Sequence, residues 1–251
     1  MPTGINEFDL LYKDGFYHLF YDDKAQTRYR KASTINGLSK AKDELQFPGN
    51  YPSILYENGT WHLWVWDNSK KVTKHYSAKS AKGPYTFIDE CPHGLGDYDV
   101  AKSPVDGYYY AGYKNYQSLR GGVVKSKSPN GPWQDLGYVF TEKNRSKWHI
   151  KEEADGNVFF YLNKAYYLFA GWDGKKQRIG IVQVNMQTMK ALTKATCLLS
   201  PEATWQKRNN AHKIFNPICF IDPHNPRQVY VFYAHNPGQA VPAGWGYIRA
   251  K

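Results

Sequence analysis

The chain is poor in several things, and each shortage narrows what it can be. Three cysteines in 251 residues, Cys91, Cys197 and Cys219, are too few and too scattered for a disulfide framework or a zinc site. Ordinary thiols in a reducing compartment are the weak inference. No run of about 18 apolar residues exists, which excludes a transmembrane helix. The opening Met1-Pro2-Thr3-Gly4-Ile5 has neither a basic stretch nor an apolar core, so no secretory signal is expected. The expectation is a cytoplasmic protein or part of a larger exported or phage protein. Stretches with helical periodicity are scarce. Acids are also in short supply: 22 Asp and Glu face 33 Lys and Arg, a net charge of +11. The lysines form no block longer than two, so the bland reading of that charge is solubility, against attraction to a polyanion.

Aromatic residues are abundant, with 21 Tyr, 12 Phe and 8 Trp. Such residues favour strands, and Tyr and Trp faces also stack on sugars or bases. With 21 Gly and 14 Pro marking frequent turns, the composition points to an all-β protein of many short strands.

One unit recurs five times: an apolar strand, a tight turn and an aromatic-rich strand. The copies center on Lys13-Asp14-Gly15, Glu57-Asn58-Gly59, Val105-Asp106-Gly107, Leu162-Asn163-Lys164 and the Pro-rich turn after Ile221. Asp-Gly and Asn-Gly between β-rich runs are strong hairpin signals. A third strand follows each hairpin. Lys79-Ser80-Ala81-Lys82-Gly83-Pro84-Tyr85 and Lys127-Ser128-Pro129-Asn130-Gly131-Pro132-Trp133 recur at the same phase. A β-sandwich does not explain that second repeat. Five units of about 50 residues match four-stranded propeller blades. The expectation is one domain over 1–251, a five-bladed β-propeller with about four antiparallel strands per blade, the closing blade having three.

The innermost strands of a propeller line its channel, and their N-terminal ends meet at one mouth. Those starts read Glu7-Phe8-Asp9, Asn50-Tyr51-Pro52, Asp97-Tyr98-Asp99, Glu153-Ala154-Asp155 and Asn210-Ala211-His212. Three carry acid-x-Asp, and residues two apart on a strand share a face. The bland reading is turn capping; three pairs in phase favour a functional site. Loops at the same mouth add Trp66-Asp67, the stretch from Tyr116 to Arg120, Trp172-Asp173 and His235-Asn236. Trp66 and Trp172 read equally well as sugar platforms or blade packing.

This arrangement resembles the five-bladed propeller glycosidases: glycoside hydrolase family 43, with similarity to families 32, 62, 68 and 117. Lys79 to Tyr85 and Lys127 to Trp133 look like the Ser-x-x-x-Gly-Pro-aromatic segments of family 43. Glu153 to Phe159 looks like its Glu-Gly-Pro segment, and Tyr17 to Tyr21 is similar to the first blade of family 32. The resemblance implies a blade-one base or nucleophile (Glu7 or Asp9), a blade-three tuning acid (Asp97 or Asp99) and a blade-four general acid (Glu153 or Asp155). Residue type favours Glu153 and register favours Asp155. Blade one reads Glu7-Phe8 where the family has Asp-Pro. Glu90-Cys91-Pro92 mimics the family 32 acid motif but precedes the blade-three strand. His212 matches a channel histidine often near a cation. No cofactor is required, with room for a structural Ca2+ beside His212. Asn50, Trp66, Asp97, Arg120, Trp172, His212 and His235 are the candidate substrate-binding residues, Arg120 standing on a basic rim suited to an anionic glycan. The implied activity is hydrolysis of a poly- or oligosaccharide, by inversion as in family 43 or retention as in family 32. The alternative is a carbohydrate-binding propeller, lectin-like or inactive. A carbohydrate is the expected partner, with no nucleic acid or membrane, for a monomer or weak oligomer. No basic-aromatic face suited to nucleic acid is visible.

Overall fold

The structure, a computed structural model, describes residues 7–92, 94–202, 213–236 and 244–249. Each hairpin foreseen in the sequence forms, and each grows outward by further antiparallel strands. Blade one is β1 (Phe8–Lys13), β2 (Phe16–Asp23), β3 (Gln26–Ala32) and β4 (Leu45–Pro48). Blade two is β5 (Asn50–Glu57), β6 (Thr60–Asp67), β7 (Val72–Ala78) and β8 (Thr86–Glu90). Blade three is β9 (Leu95–Lys102), β10 (Tyr109–Asn115), β11 (Arg120–Ser126) and β12 (Gln134–Tyr138). Blade four is β13 (Glu152–Tyr161), β14 (Lys164–Trp172), β15 (Gln177–Val184) and β16 (Thr196–Leu199). Blade five is β17 (Lys213–Ile221), β18 (Val229–Asn236) and β19 (Gly244–Arg249), three strands among the described residues. A single parallel bridge, Gln177 to Lys213, links blades four and five. No helix is long and apolar enough to cross a membrane among the described residues.

The aromatic excess goes into packing between blades. Trp64, Tyr98, Tyr113 and Val124 fill the seam between blades two and three. Tyr110, Val158, Tyr167 and Phe169 fill the next. Blade five seals against blade one through Phe8, Leu10, Leu19, Ile218, Phe220 and Phe232. That seal and the Phe8 amide, which donates to Asn216 Oδ1 at 2.8 Å, close the ring.

One irregularity repeats on the innermost strands. On β5, β9, β13 and β17 the pairing slips by one residue, between Asn50 and Ser53, Gly96 and Asp99, Ala154 and Asn157, and Phe215 and Ile218. Each slip is a β-bulge with the extra residue on the inner strand. The first bulged residue is left-handed in all four: Tyr51 at φ 51°, Asp97 at 55°, Asp155 at 52° and Asn216 at 46°. Such strained non-glycine positions concentrate at functional sites. Gly156, following Asp155, is obligatory because a Cβ there would lie 2.1 Å from the Tyr167 hydroxyl.

Candidate active site

The bulges sort the inner strands into two layers. Two residues after a bulge, or at the matching place on β1, Ser53, Asn157 and Asp9 reach sideways to the next blade. Asp9 Oδ2 accepts from Ile54 N at 2.7 Å, Ser53 Oγ from Val100 N at 3.0 Å and Asn157 Oδ1 from Cys219 N at 3.2 Å. Asp99 occupies the same position and bonds to Asn157. These groups staple neighbouring blades. Asp9 spends its other oxygen on the Leu10 amide at 2.7 Å. Burial holds Asp9 up at about 6, and burial with the nearby Asp9 charge holds Asp99 well above the carboxylate range.

The bulged residues form the upper layer. Glu7, Tyr51, Asp97 and Asp155 line one cavity of about 280 Å³, with Lys114, Tyr116, Glu152, Gln177 and Lys213 around them. Asn216 joins Glu7, Tyr51, Asp97 and Asp155 in a narrower recess below. Blade one has no slip to report, yet Glu7 sits two residues before Asp9 as Asp97 sits before Asp99. The set that converges is therefore Glu7, Tyr51, Asp97, Asp155 and Asn216. Three of the five are acids.

Hydrogen bonds fix the acids. Asp155 Oδ2 accepts from Asn216 N at 2.9 Å, and Tyr116 Oη donates to Asp97 Oδ1 at 2.7 Å. Lys114 is ion-paired with Glu152 and lies 4.9 Å from the Tyr116 ring centroid. The electrostatics follow from enclosure and like charge. Burial first, then the Asp97 charge, lifts Asp155 from 3.8 to about 7. Burial, with Asp155, Asp97 and Asp22 nearby, holds Glu7 well up, and burial raises Asp97. Lys114 pulls all three back down. Burial disfavours the Lys114 charge, but Asp97 and Glu152 outweigh it and raise the ammonium. Three carboxyls around one cation titrate as a unit, and a proton on one relieves the others.

Several expected residues lie elsewhere. Glu153 is turned off the axis and fully buried. Its Oε1 meets Arg145 Nε at 3.0 Å and His149 Nδ1 at 3.1 Å, and its Oε2 accepts from Gly121 N at 3.2 Å. The bulge between Ala154 and Asn157 breaks the two-residue alternation that placed Glu153 and Asp155 on one face. Asp99 lies in the lower layer for the same reason, and Asp9 holds the matching place on β1. Asn50 and Trp66 line a separate cavity of about 220 Å³ with Gly49 and Tyr76. Trp66 is buried and stacks on Tyr116 at 4.7 Å and 17°, so it packs the Asp97 donor from behind instead of presenting a face. The repeated Trp-Asp pair is turn chemistry. Asp67 Oδ1 accepts from Ser69 N at 2.9 Å and Lys70 N at 3.1 Å, and Asp173 Oδ1 from Lys175 N at 2.7 Å and Lys176 N at 2.8 Å. Each Asp also pairs with a cation of its own hairpin, Lys74 or Arg178. Trp172 stands at the rim, its ring 5.0 Å from Lys213 Nζ. Arg120 is held by Glu142 at 3.0 Å and does not line the axial cavity. His235 pairs with Ile214 across β17 and β18, half-buried, and does not line that cavity either. His212 lies outside the described residues. Glu90 pairs with Lys70 on the surface, with Cys91 buried in the seam beside it. Lys114, Glu152 and Asn216 were not named from sequence, and Tyr51 and Tyr116 were placed at the mouth without a role. Tyr51 and Asn216 share the bulge position of Asp97 and Asp155, which only the structure reveals.

Among the described residues no group of three His, Cys, Asp or Glu is poised to hold a metal, and His212, beside which a structural Ca2+ was expected, lies outside them. Asp9 spends both oxygens on amides.

No family model and no curated protein sequence matches the chain. Solved structures do. The chain is similar to an endo-arabinase from Bacteroides thetaiotaomicron, at 14% identity and a TM-score of 0.71 over 99% of this chain and 95% of that one. A thermostable family-43 glycoside hydrolase matches at 12% identity and 0.71, covering 98% and 89%. The chain has the propeller fold of these enzymes. An exo-β-1,3-galactanase from Phanerochaete chrysosporium matches at 10% and 0.71, covering 98% of this chain and 64% of that one.

Proposed function

We propose that the chain is a glycoside hydrolase acting on a poly- or oligosaccharide, with Asp155 as general acid, Glu7 as base and Asp97 as the acid that tunes them. The observation that carries this reading is the convergence of those three carboxyls, from the bulge positions of blades four and three and the matching place before Asp9 on blade one, around Lys114 in one cavity. The sequence resemblance assigns the same three blades the same three tasks.

Glycoside cleavage needs a proton delivered to the leaving oxygen and a carboxylate on the opposite face of the sugar ring. Asp155, lifted to about 7 by burial and the Asp97 charge, holds a proton at neutral pH. That proton passes to the glycosidic oxygen as the C1–O bond breaks. That donation leaves Asp155 charged, and Glu7 in its ionised form takes a proton from the attacking water as the water oxygen bonds to C1, so Glu7 ends protonated and the charge it held passes to Asp155. Asp97, held by Tyr116, keeps the acid proton-rich, and Lys114 limits how far the three rise. Register with family 43 favours inversion, so the first anomer released, read by proton NMR, is expected to be inverted. Arabinan, xylan and β-1,3-galactan are the first substrates to offer, because structural neighbours are named for them. The reading calls for a carbohydrate partner and for neither nucleic acid nor membrane, in a monomer or weak oligomer.

The second reading, a sugar-binding propeller without catalysis, is favoured by the swapped arm lengths. Blade four presents the shorter Asp and blade one the longer Glu. Hydrolysis of one polysaccharide by the wild type but not by Asp155→Asn supports the enzyme. Equal binding by both, with no hydrolysis by either across the panel, supports the second reading.

A further inference from the structure

A second cleft lies at the opposite end of the propeller, between blades one and two. The axial acids stand at the starts of the inner strands, whereas this cleft is built at their far ends. The β1–β2 turn supplies Lys13 and Asp14, the end of β3 supplies Lys31, and the ends of β5 and β6 that meet there supply Tyr56 and Trp61. The fourth wall is Lys79-Ser80-Ala81-Lys82, the repeated segment that the axial site leaves unused. The cleft encloses about 320 Å³, room for a small ligand.

Four lysines face it, with Asp14 and Glu44 as the acids. Lys13 is paired with Asp14 and lies 4.2 Å from the Tyr56 ring centroid. Lys31, Lys79 and Lys82 form no ion pair among the described residues. His18, buried in the floor, is bonded through Nδ1 to the Tyr29 hydroxyl at 2.9 Å, and burial keeps its ring neutral. The cations therefore come from lysine alone. Their three ammonium groups suit an anion, whereas the Glu44 and Asp14 carboxylates suit hydroxyl donors and repel a run of phosphates. A short open cleft also fits a sugar unit better than an extended strand.

We infer that this cleft is a second carbohydrate site that binds an acidic sugar unit, carboxylated or sulfated, on the face opposite the axial cavity. The inference rests on the glycan reading of the protein but not on its catalysis. A chain held at this site keeps the enzyme on an acidic polysaccharide while the axial cavity works elsewhere on it.

The test is calorimetric titration of the full chain with a polygalacturonate oligosaccharide, a heparin oligosaccharide and a neutral dextran oligosaccharide. Each is run on the wild type and on Lys31→Ala/Lys79→Ala/Lys82→Ala. All three lysines are exposed, so the variant is expected to fold, which its melting curve checks. The expected result is binding of at least one acidic oligosaccharide, weakened tenfold or more by the triple substitution and by 0.5 M salt. The carboxylated and sulfated arms identify which anion is read. Hydrolysis of a small aryl glycoside should be equal in the two proteins. Binding that persists in a wild type lacking all hydrolase activity upholds this site and removes the catalytic reading. No binding of either acidic oligosaccharide, unchanged affinity in the triple variant, equal binding of dextran, or equal competition by polyglutamate overturns it.

Discussion

Asp155 has one oxygen committed to the Asn216 amide, leaving the other to carry the mobile proton. Its pKa of about 7 lies above the ordinary 3.8, so the native protein keeps a proton that the unfolded chain gives up. The stability this contributes is whole below the ordinary carboxylate range and is lost as the pH rises through about 7. Asp155→Asn mimics the protonated acid and still accepts from Asn216. Wild type and variant should therefore melt together near pH 4, and the variant should melt higher at pH 8. The effect is about 1.4 kcal/mol per pH unit across the window. Parallel melting curves at every pH would contradict a raised Asp155. Lys114 acts in the opposite sense. Lys114→Met removes the cation that lowers Asp97 and Asp155, so the alkaline limb of kcat/KM should move to higher pH. A limb that stays or moves down would show that Lys114 does not set the acid's pKa.

At the scale of the element, the hairpins were legible and the bulges were not. Asp-Gly and Asn-Gly turns carry their left-handed backbone in the sequence. A left-handed Tyr51 or Asp155 carries no such mark, because the ring around it imposes the conformation. That is why the acid-x-Asp pairs were legible as a site while their members could not be sorted. Glu153 shows the same limit, since Arg145 and His149, which bury it, come from the loop before β13. Glu153→Gln leaves that cation and the ring without a carboxylate. It should destabilise the fold by about 3 kcal/mol or more, as broken buried pairs do. Activity per folded molecule should survive. A selective loss of activity with unchanged stability would return Glu153 to the catalytic set. On β9, a Cβ at Gly96 would lie 2.5 Å from the Tyr116 ring and 2.8 Å from Trp66. Gly96→Ala should thus displace the Asp97 donor and lower kcat more than it raises KM.

For the whole molecule, the repeat foretold the five blades. The two faces follow from the same ring: inner-strand starts bring acids together at one end, and hairpin turns bring lysines together at the other. Ring closure rests on the seam between blades five and one. Phe8→Ala there should cost about 3–5 kcal/mol and unfold the ring in one cooperative transition. The central claim is that Asp155 donates a proton to a glycosidic oxygen. It is tested most directly by the rates of wild type and Asp155→Asn on aryl glycosides of graded leaving-group pKa. The variant should lose about 10²–10⁴-fold on poor leaving groups, and the loss should shrink toward unity as the leaving group needs less help. A loss that is uniform across the series, or no loss at all, would contradict it.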